Sequence, residues 1–379
     1  MKTNHLKIAL VRGASLNDWE LQTYLPLQKN HEITVFGSRW GEYPFSLPFQ
    51  TRKLWCSGEI ARFIPGGITW LYKTFGDPQM LIGLEQVLKG FDIVHCAERT
   101  SYYTLQAIYA KQKGWIKKVV VTCWENILHV REDYPGQLLM KREIDRNADW
   151  FIAGSYKARS VLMAEGIPSR KITIVPVGID LTRFKPAVRK KAQDKIIVCP
   201  ARMIVGKGIY DVFRAAKNIL EVLNLPHVRF IMIGDGPEKD RLHFLAQLNG
   251  ISDRFEIRSF VPYRTLLSIY QQADIVILPS IPTRDWQEQN AWVLIESMAV
   301  GTPVIATRIG SVAETVGDAG LLVPPGDVLA LTQAIKKLLF DATLARQLSQ
   351  KSVTRVKQLF DAQKIARQIE LVYFHALSQ

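Results

Sequence analysis

Two glutamates, Glu288 and Glu296, stand eight positions apart in the stretch WQEQNAWVLIESMAVGTPVIAT. Glu296 lies among apolar residues in a segment that favours a helix ending at Gly301, a residue type common just past helix C-termini. An unpaired carboxylate in such surroundings is costly, so we expect Glu296 to need hydrogen-bond donors, which ligand hydroxyls could supply. A chance pair of glutamates with Glu296 facing solvent is the alternative.

The residues between the two glutamates predict the N-terminus of this helix, with Glu288 in the loop before it. The backbone N–H groups of the segment 289–292 would then have no partner inside the helix. Such groups, together with the positive end of the helix dipole, attract anions. The pattern therefore indicates a carboxylate, an anion-binding helix end and a second carboxylate about two turns further along.

A second candidate anion site is the stretch CPARMIVGKGIYD, which follows a strand-like run and enters a helical one. Arg202 and Lys207 are five positions apart, and Gly206 and Gly208 flank the lysine. A glycine-rich loop with two cations at a helix start suits a diphosphate. A basic surface turn with a helix cap would look the same.

The stretch IGDGPEKDRL (233–242) predicts a junction from a strand through a tight turn into a helix. Gly234 and Gly236 lack the third glycine of a dinucleotide-binding fingerprint, which argues against a dehydrogenase.

The elements that must position these residues are short apolar strands alternating with helices, a pattern typical of parallel sheets. Two such series follow one another, so we expect two doubly wound α/β domains that meet near the polar segment 180–194. The strand-like runs are KIALV, EITVFG, DIVHCA, KVVVTC, WFIAGS, KITIVPVG, KIIVCPA, RFIMIGDG, FEIRSFV, DIVILPS, PVIAT and GLLVP. Ligands of such domains bind at the carboxyl ends of the strands.

Composition narrows the class of protein further. The 379 residues carry a net charge of +14, and residues 1–190 hold 27 lysines and arginines against 17 acidic residues. This excess favours an anionic partner, although a generally basic surface is equally consistent with it. No apolar run reaches the length of a membrane-spanning helix, and no nucleic-acid-binding module is present. The scattered cysteines have no metal-ligand spacing, so buried free thiols and a cytoplasmic location are expected; they are Cys56, Cys96, Cys123 and Cys199.

Taken as a set and in order, these motifs resemble those of the retaining nucleotide-sugar glycosyltransferases of family 4, which have the GT-B fold. The resemblance covers roughly residues 85–340. It is carried by the glutamate spacing and by ARMIVGKG, IGDGPEKDRL, YQQADIVILPS, ESMAVGTPVIAT, ETVGDAGLLVPPGD, AGSYKARSVLMAEGI and KITIVPVGIDLTRFKP. It implies two facing Rossmann-like domains with a cleft between them. Residues 1–188 would bind the acceptor and 189–359 the donor, and a helix at about 360–379 would pack back on the first domain.

The resemblance also implies roles for individual residues. Arg202 and Lys207 would neutralise the leaving diphosphate, Glu288 would contact the donor sugar, and Glu296 would accept hydrogen bonds from the ribose. The further donor-binding positions are Asn290, Ala291, Trp292, Val293, Gly13 and Gly234. Neither a metal nor another cofactor is expected. The implied reaction is transfer of a hexose, with retention, from a UDP- or GDP-sugar to a hydroxyl of a lipid-linked or polysaccharide precursor.

The chain departs from the family pattern at three places. Gln289, Asn290 and Ala291 replace the usual Pro-Phe-Gly, and the first loop has only Gly13 where a Gly-Gly pair is common. After the strand VVVTC, the histidine common in the family is missing. Here Glu125 and Asn126 are candidates for binding sugar hydroxyls and His129 for reaching the cleft. Alternatively, Glu125 or Asn126 caps a helix and His129 lies on the surface of that helix.

These departures leave two other functions open: a non-catalytic nucleotide-sugar-binding protein, and an epimerase or phosphorylase of the same fold. The acceptor side is less specific. The segment 60–76 mixes aromatic and basic residues, and four lysines surround Trp115, so peripheral contact with an anionic membrane is predicted. Alternatively, the apolar face of 60–76 covers the domain core. The four lysines are Lys111, Lys113, Lys117 and Lys118.

Overall fold

The computed structural model describes residues 5–187, 194–222, 225 and 227–379. The chain forms two compact units. The first comprises Met1–Gly178 together with Ala362–Gln379, and the second comprises Ile179–Asp361.

The first unit is built on a seven-stranded parallel sheet. Its strands are β1 (Lys7–Gly13), β2 (Glu32–Ser38), β3 (Gln50–Leu54), β4 (Ile93–Ala97), β5 (Lys118–Cys123), β6 (Trp150–Ala153) and β7 (Ile172–Ile174). Their order across the sheet is β3-β2-β1-β4-β5-β6-β7. The order reverses between β1 and β4, which is where a doubly wound sheet opens a crevice for ligands.

Helices connect these strands. They are α1 (Asp18–Leu21), α2 (Ser57–Ala61), α3 (Gly67–Phe75), α4 (Leu84–Val87), α5 (Tyr102–Gln112), α6 (Pro135–Asn147) and α7 (Tyr156–Ala164). All five residues of β4 are buried, because a central parallel strand is covered on both faces.

Every strand-like run identified in the sequence forms a strand, but β3 was missed. Its sequence, QTRKL, exposes Gln50, Arg52 and Lys53, so it has no apolar signature. It lies at the edge of the sheet, where charged residues prevent pairing with other chains.

The second unit holds a six-stranded sheet in the order β10-β9-β8-β11-β12-β13. Its strands are β8 (Lys195–Pro200), β9 (Val228–Ile233), β10 (Phe255–Arg258), β11 (Ile275–Leu278), β12 (Val304–Thr307) and β13 (Leu321–Val323). All neighbouring strands are parallel. Its helices are α8 (Ile209–Lys217), α9 (Lys239–Leu248), α10 (Tyr263–Gln272), α11 (Trp292–Ala299), α12 (Val312–Val316), α13 (Val328–Phe340) and α14 (Ala342–Leu359).

The last helix, α15 (Ala362–Ser378), belongs to the first unit. Its apolar residues Ile365, Ile369 and Val372 join the buried cluster formed by the first strands of that unit. Tyr373 is fully buried, and its hydroxyl lies 2.7 Å from Nδ1 of His95 on β4. The chain therefore returns to the first sheet after it has completed the second.

The segment before residue 188, which the sequence placed in the first domain, lies in the second unit from Ile179 onward. The N–H of Ile179 donates to the carbonyl of Phe360 at 2.7 Å. Phe184 is 1% exposed, and its ring centroid lies 5.9 Å from that of Tyr263 on α10. Part of the expected junction, 188–193, lies outside the described residues.

None of the described helices combines the length and the hydropathy needed to cross a bilayer.

Candidate functional site

Glu288 is 6% exposed and lies in the loop between β11 and α11. Its Oε1 atom accepts from Nζ of Lys207 at 2.5 Å and from the hydroxyl of Ser280 at 2.6 Å. The amine also lies 4.3 Å from the ring centroid of Trp286, a cation–π distance. The structure thus joins the loops after β8 and β11 through one buried ion pair.

The loop that carries Lys207 is held by close backbone contact. Gly208 has φ +66°, and a Cβ atom there would lie 1.9 Å from the carbonyl oxygen of Pro279. The N–H of Ile281 donates to the carbonyl of Gly206 at 2.9 Å. The glycine at 208 lets the two loops approach closely enough for Lys207 to reach Glu288.

Arg202 lies on the same loop as Lys207 but is exposed, and it forms no ion pair with any residue that the structure describes. Its side chain remains available to a ligand, whereas that of Lys207 is already engaged by a carboxylate.

Gly234, expected to approach a donor, packs against the loop after β8. It has φ +148°, and a Cβ atom at this position would lie 2.1 Å from the carbonyl oxygen of Ala201. The N–H of Met203 donates to the carbonyl of Asp235 at 2.8 Å. This contact fixes the backbone on either side of Arg202, so the structure gives Gly234 a packing role, and its donor contact stays a prediction.

Glu296 lies on α11 and is 2% exposed, which excludes the solvent-facing alternative. Its two oxygens accept from the hydroxyl of Tyr263 at 2.6 Å and from that of Tyr270 at 3.1 Å. We expected ligand hydroxyls to be its donors; the structure shows that the protein supplies two, because both tyrosines on α10 point at α11.

Burial raises the pKa of Glu296 to about 7, because the charged form loses its hydration. The hydroxyls of Tyr263 and Tyr270, and the charge of Arg183, oppose part of this rise. Arg183 lies 4.4 Å from the ring centroid of Tyr263 and donates to its carbonyl at 3.2 Å. Burial therefore moves the titration of Glu296 toward neutral pH.

At the start of α11, some but not all of the backbone N–H groups that were expected to be free have no acceptor among the described residues. The N–H of Trp292 donates to the carbonyl of Asn290 at 2.9 Å, so that group is used within the turn. The N–H groups of Asn290, Ala291 and Val293 find no acceptor within the described chain. Three of the predicted backbone donors thus remain at the positive end of this helix.

The sequence reasoning missed the side chains that hold the two glutamates. They are Ser280, Tyr263, Tyr270, Trp286 and Arg183. Ser280 had a signal, because it is the last residue of the strand-like run DIVILPS and so lies at a strand's carboxyl end. The tyrosines had none, since a tyrosine on a helix more often contributes only to the core.

In the first unit, Gly13 ends β1 with φ +54°. A Cβ atom there would lie 2.4 Å from Oε1 of Gln79 and 2.8 Å from the ring of Tyr103. The same Gln79 oxygen accepts from the N–H of Ala14 at 3.0 Å. The backbone of this loop therefore packs against side chains of its own unit.

Glu125 and Asn126, at the end of β5, are both buried. Glu125 accepts from the hydroxyl of Thr100 at 3.1 Å, and its other oxygen lies 3.6 Å from Nε of the buried Arg99. Burial and the charge of Glu125 together raise the pKa of Glu98 to about 8. This end of the first sheet therefore holds a charged cluster that the sequence reasoning recognised only in part.

The side chain of His129 is 70% exposed, and its Nδ1 lies 3.1 Å from Oε2 of Glu132. Together with Glu165, these residues place potential ligand atoms within 4.8 Å of one another. However, Nζ of Lys141 lies 2.5 Å from Glu132 and 2.9 Å from Glu165, and Arg99 also pairs with Glu165. The two carboxylates are already neutralised by side chains, which leaves little reason for a cation to bind.

Two family models match the chain in succession. Residues 21–183 match the model described as glycosyltransferase family 4, and residues 181–355 match the model described as glycosyl transferases group 1. Together they span almost all of the chain.

Individual proteins agree with these models. The 2-deoxystreptamine N-acetyl-D-glucosaminyltransferase of Streptomyces fradiae is 29% identical over 199 residues, which cover 49% of this chain and 46% of that protein. The chain spans about half the length of the curated relatives it matches.

Among solved structures, the sucrose-phosphate synthase of Thermosynechococcus elongatus superposes with a TM-score of 0.74 at 21% identity, covering 99% of this chain and 100% of the other. HepE of Anabaena, solved in complex with UDP, superposes with a TM-score of 0.75 at 17% identity, covering 98% and 100%. At these identities the likeness shows the fold, which is the expected GT-B fold.

Proposed function

The chain belongs to the group 1, family 4 glycosyltransferases, and we propose that it transfers a hexose from a UDP- or GDP-sugar to a hydroxyl group with retention of configuration. The observation that carries this proposal is the buried pair of Lys207 and Glu288 beside the open N-terminus of α11. HepE was solved with UDP, which favours uridine as the first base to test.

The proposed chemistry is stabilisation of the leaving group. The diphosphate gains negative charge as its bond to the sugar breaks, and preorganised cations stabilise this charge most where little water competes. Lys207 is 14% exposed and is oriented by its bond to Glu288, and Arg202 on the same loop, which forms no ion pair with any described residue, adds a second cation. The N–H groups of Asn290, Ala291 and Val293 would bind phosphate or sugar oxygens. On this proposal the reaction needs no metal and no other cofactor.

Glu288 is proposed as a sugar contact and not as a general base. One of its oxygens already accepts hydrogen bonds from Lys207 and Ser280, so that oxygen is engaged within the protein and is not free to take a proton from the acceptor. We propose that the donor phosphate takes the proton of the acceptor hydroxyl. The product would then keep the configuration of the donor sugar, and nuclear magnetic resonance of the product measures this directly.

Glu296 is proposed to bind the ribose. Each of its oxygens accepts from one tyrosine, and a carboxylate oxygen can accept two hydrogen bonds. The ribose hydroxyls would therefore add to the tyrosine contacts without displacing them. The acceptor is proposed to bind the first unit, where Glu125 and Asn126 are candidate contacts for its hydroxyls.

The proposal is tested first by thermal shift with UDP-, GDP- and ADP-sugars, followed by donor hydrolysis and transfer in the presence of a chelator. Lys207→Ala is expected to lower turnover by about 100-fold or more, the size of effect found when one preorganised donor to a developing charge is removed. Glu288→Gln is expected to lower turnover through loss of its contact with the sugar. Lys351→Ala is the matched control, because Lys351 also pairs with a carboxylate, Asp318, at 2.7 Å, but on an exposed surface of the second unit.

Near-normal turnover of both variants would show that these residues do not have the proposed roles. Tight donor binding without transfer or hydrolysis, across a panel of acceptors, would instead support a non-catalytic nucleotide-sugar-binding protein. The altered segment from Gln289 to Ala291 makes that second outcome worth testing.

A further inference from the structure

One surface of the first unit exposes a group of large apolar side chains around α2 and α3, here called the apolar patch. Phe63 is 76% exposed, and Ile64 and Trp70 are each 58% exposed. The members of the patch are Trp40, Trp55, Ile60, Phe63, Ile64, Trp70 and Ile82. Single exposed apolar residues are ordinary, but a group of this kind marks an interaction surface.

The apolar patch is continuous. The ring of Trp40 lies 5.4 Å from that of Trp55 and 6.1 Å from that of Phe63, measured between centroids. Beside them, a groove of about 480 Å³ is lined by Ile60, Ile64 and other mostly apolar side chains. The surface therefore offers both projecting rings and a groove that suits an aliphatic chain.

The helix at the centre of the patch contributes little to the core. Of the nine residues of α3, only Gly67 and Leu71 are buried. The alternative that the apolar face of 60–76 covers the domain core therefore holds only in part: Ala61 and Leu71 are buried, and Ile68 and Tyr72 are half-buried. Trp70 and Phe75 stack edge to face, 5.5 Å apart, on the exposed side of the helix.

Basic residues surround the apolar patch. The guanidinium of Arg39 lies 4.8 Å from the ring centroid of Trp55, Arg62 precedes Phe63, and Lys73 is exposed on α3. Between residues 38 and 76, all of them described, the acids are Glu42 and Glu59.

Glu59 does not offset this positive charge at the surface. It is 2% exposed and accepts from the hydroxyl of Ser38 and from the backbone N–H groups of Trp40 and Cys56. The exposed charge of the segment is therefore dominated by its arginines and lysines.

We propose that the apolar patch docks the first unit on an anionic lipid bilayer. Tryptophan and phenylalanine side chains partition to the boundary between headgroups and acyl chains, and arginine and lysine beside them attract anionic headgroups. The groove receives part of one acyl chain. This inference goes beyond the proposed reaction and does not depend on it, because lipid binding is measured without donor or acceptor.

The lysines around Trp115 do not belong to this surface. Lys111 and Lys117 pair with Asp149 and Asp92 at 2.8 and 2.6 Å, and Lys118 lies 3.5 Å from Asp149. Two aspartates offset only part of the charge of the four lysines, but Trp115 is half-buried, so the exposed aromatic side chains that a bilayer contact needs lie at 39–82 and not at the lysine cluster.

The test is flotation of the full chain with vesicles of phosphatidylcholine, with and without phosphatidylglycerol, at low and at raised salt. Binding to the anionic vesicles is expected, and salt is expected to weaken it. Each basic residue near an anionic surface contributes roughly a fivefold change in affinity, so Arg39→Ser with Arg62→Ser should weaken binding by roughly 25-fold.

Matched variants in the second unit separate this effect from general changes of charge or exposed apolar area. Lys337→Ser with Arg346→Ser removes the same charge from exposed positions and should leave binding unchanged. Phe63→Ser with Ile64→Ser should abolish flotation. Its control removes two comparably exposed apolar side chains from the second unit, Phe244→Ser with Leu248→Ser.

Three results would overturn the proposal: no flotation with either vesicle, equal flotation with both, or equal losses in the patch variants and their controls. Light scattering gives a fourth. A dimer that Phe63→Ser with Ile64→Ser converts to a monomer would show that a second copy of the chain covers the patch. Because every variant side chain is exposed, unchanged thermal unfolding is expected and verifies folding.

Discussion

Replacing Glu296 by glutamine tests whether this buried carboxylate destabilises the second unit. The carboxylate is 2% exposed, accepts from two tyrosine hydroxyls, and has its pKa raised to about 7 by burial. Glutamine has nearly the same shape and keeps one accepting oxygen, and a tyrosine hydroxyl can accept from its amide group. It removes the charge, so the substitution isolates the cost of burying it.

The size of the expected change in the free energy of unfolding follows from the pKa values of Glu296 in the unfolded and folded states. The ordinary value is 4.5 and the folded value is about 7, so between them the folded protein holds a proton that the unfolded chain has released. The free energy of unfolding therefore falls as the pH rises through this interval, and the loss is complete above the folded pKa. At about 1.4 kcal/mol for each pH unit of separation, the total loss is about 3 kcal/mol.

The variant has no such proton to lose. Relative to the native protein, Glu296→Gln should therefore gain up to about 3 kcal/mol of stability between about pH 5 and about pH 8. Urea unfolding of the full chain at several pH values measures this difference, and hydrogen exchange of α11 shows whether the gain is local. Asp253→Asn, at an exposed position of the same unit, is the control and should show no such trend.

A stability difference between variant and native protein that stays constant over this pH range would refute the reasoning, because the pKa of Glu296 would then be unshifted. If the ribose role is also correct, the stabilised variant should bind UDP more weakly than the native protein. Proteins commonly keep a destabilising residue in a ligand-binding site because the residue is needed for binding. Unchanged UDP affinity would leave the electrostatic result intact but remove Glu296 from the proposed donor site.

Two further predictions concern packing. Gly208→Ala should lose about 1 to 3 kcal/mol more stability than Gly250→Ala, because overpacking adds to the backbone strain that both share. Both glycines have positive φ, but a Cβ atom at Gly208 would lie 1.9 Å from the carbonyl oxygen of Pro279, whereas a Cβ atom at Gly250 would have nothing within 4 Å. Equal losses of stability in thermal unfolding would contradict this contact. The four cysteines should react with a water-soluble disulfide reagent only on unfolding. All are buried, and burial raises the pKa of Cys96 and Cys199 to about 12. Rapid reaction of the native protein would show that these thiols are accessible. They are Cys56, Cys96, Cys123 and Cys199.

The fold could be predicted from the sequence because its central strands are apolar on both faces, and such strands stand out between helices. The strand β3 could not, since an edge strand needs no apolar pattern and is recognised only by its pairing with β2. The polar segment 180–194 located the junction between the domains, which the structure places just before Ile179. That Phe184 belongs with the second unit could not be predicted, because it depends on burial of its ring beside Tyr263.

The sequence predicted the charged residues of the candidate site but not the side chains that bond to them. Glu288, Glu296 and Lys207 stand out because charge is unusual beside buried strands and helices. Their hydrogen-bond partners depend on how the loops and helices are brought together. Lys207 bonds to Glu288, 81 residues away along the chain, and Glu296 accepts from Tyr263 and Tyr270.

The sequence by itself determined the alternation of strands and helices, the family and the carboxylates and cations of the candidate site, because these follow from residue type and spacing. Only the tertiary structure decided which charges are paired, which tyrosines hold Glu296 and which aromatic residues remain outside the core. The physical reason is that burial, ion pairing and shifted pKa values depend on distances between residues far apart in the chain. The exposed rings of Phe63 and Trp70 illustrate this, because in the sequence they were equally consistent with a core helix.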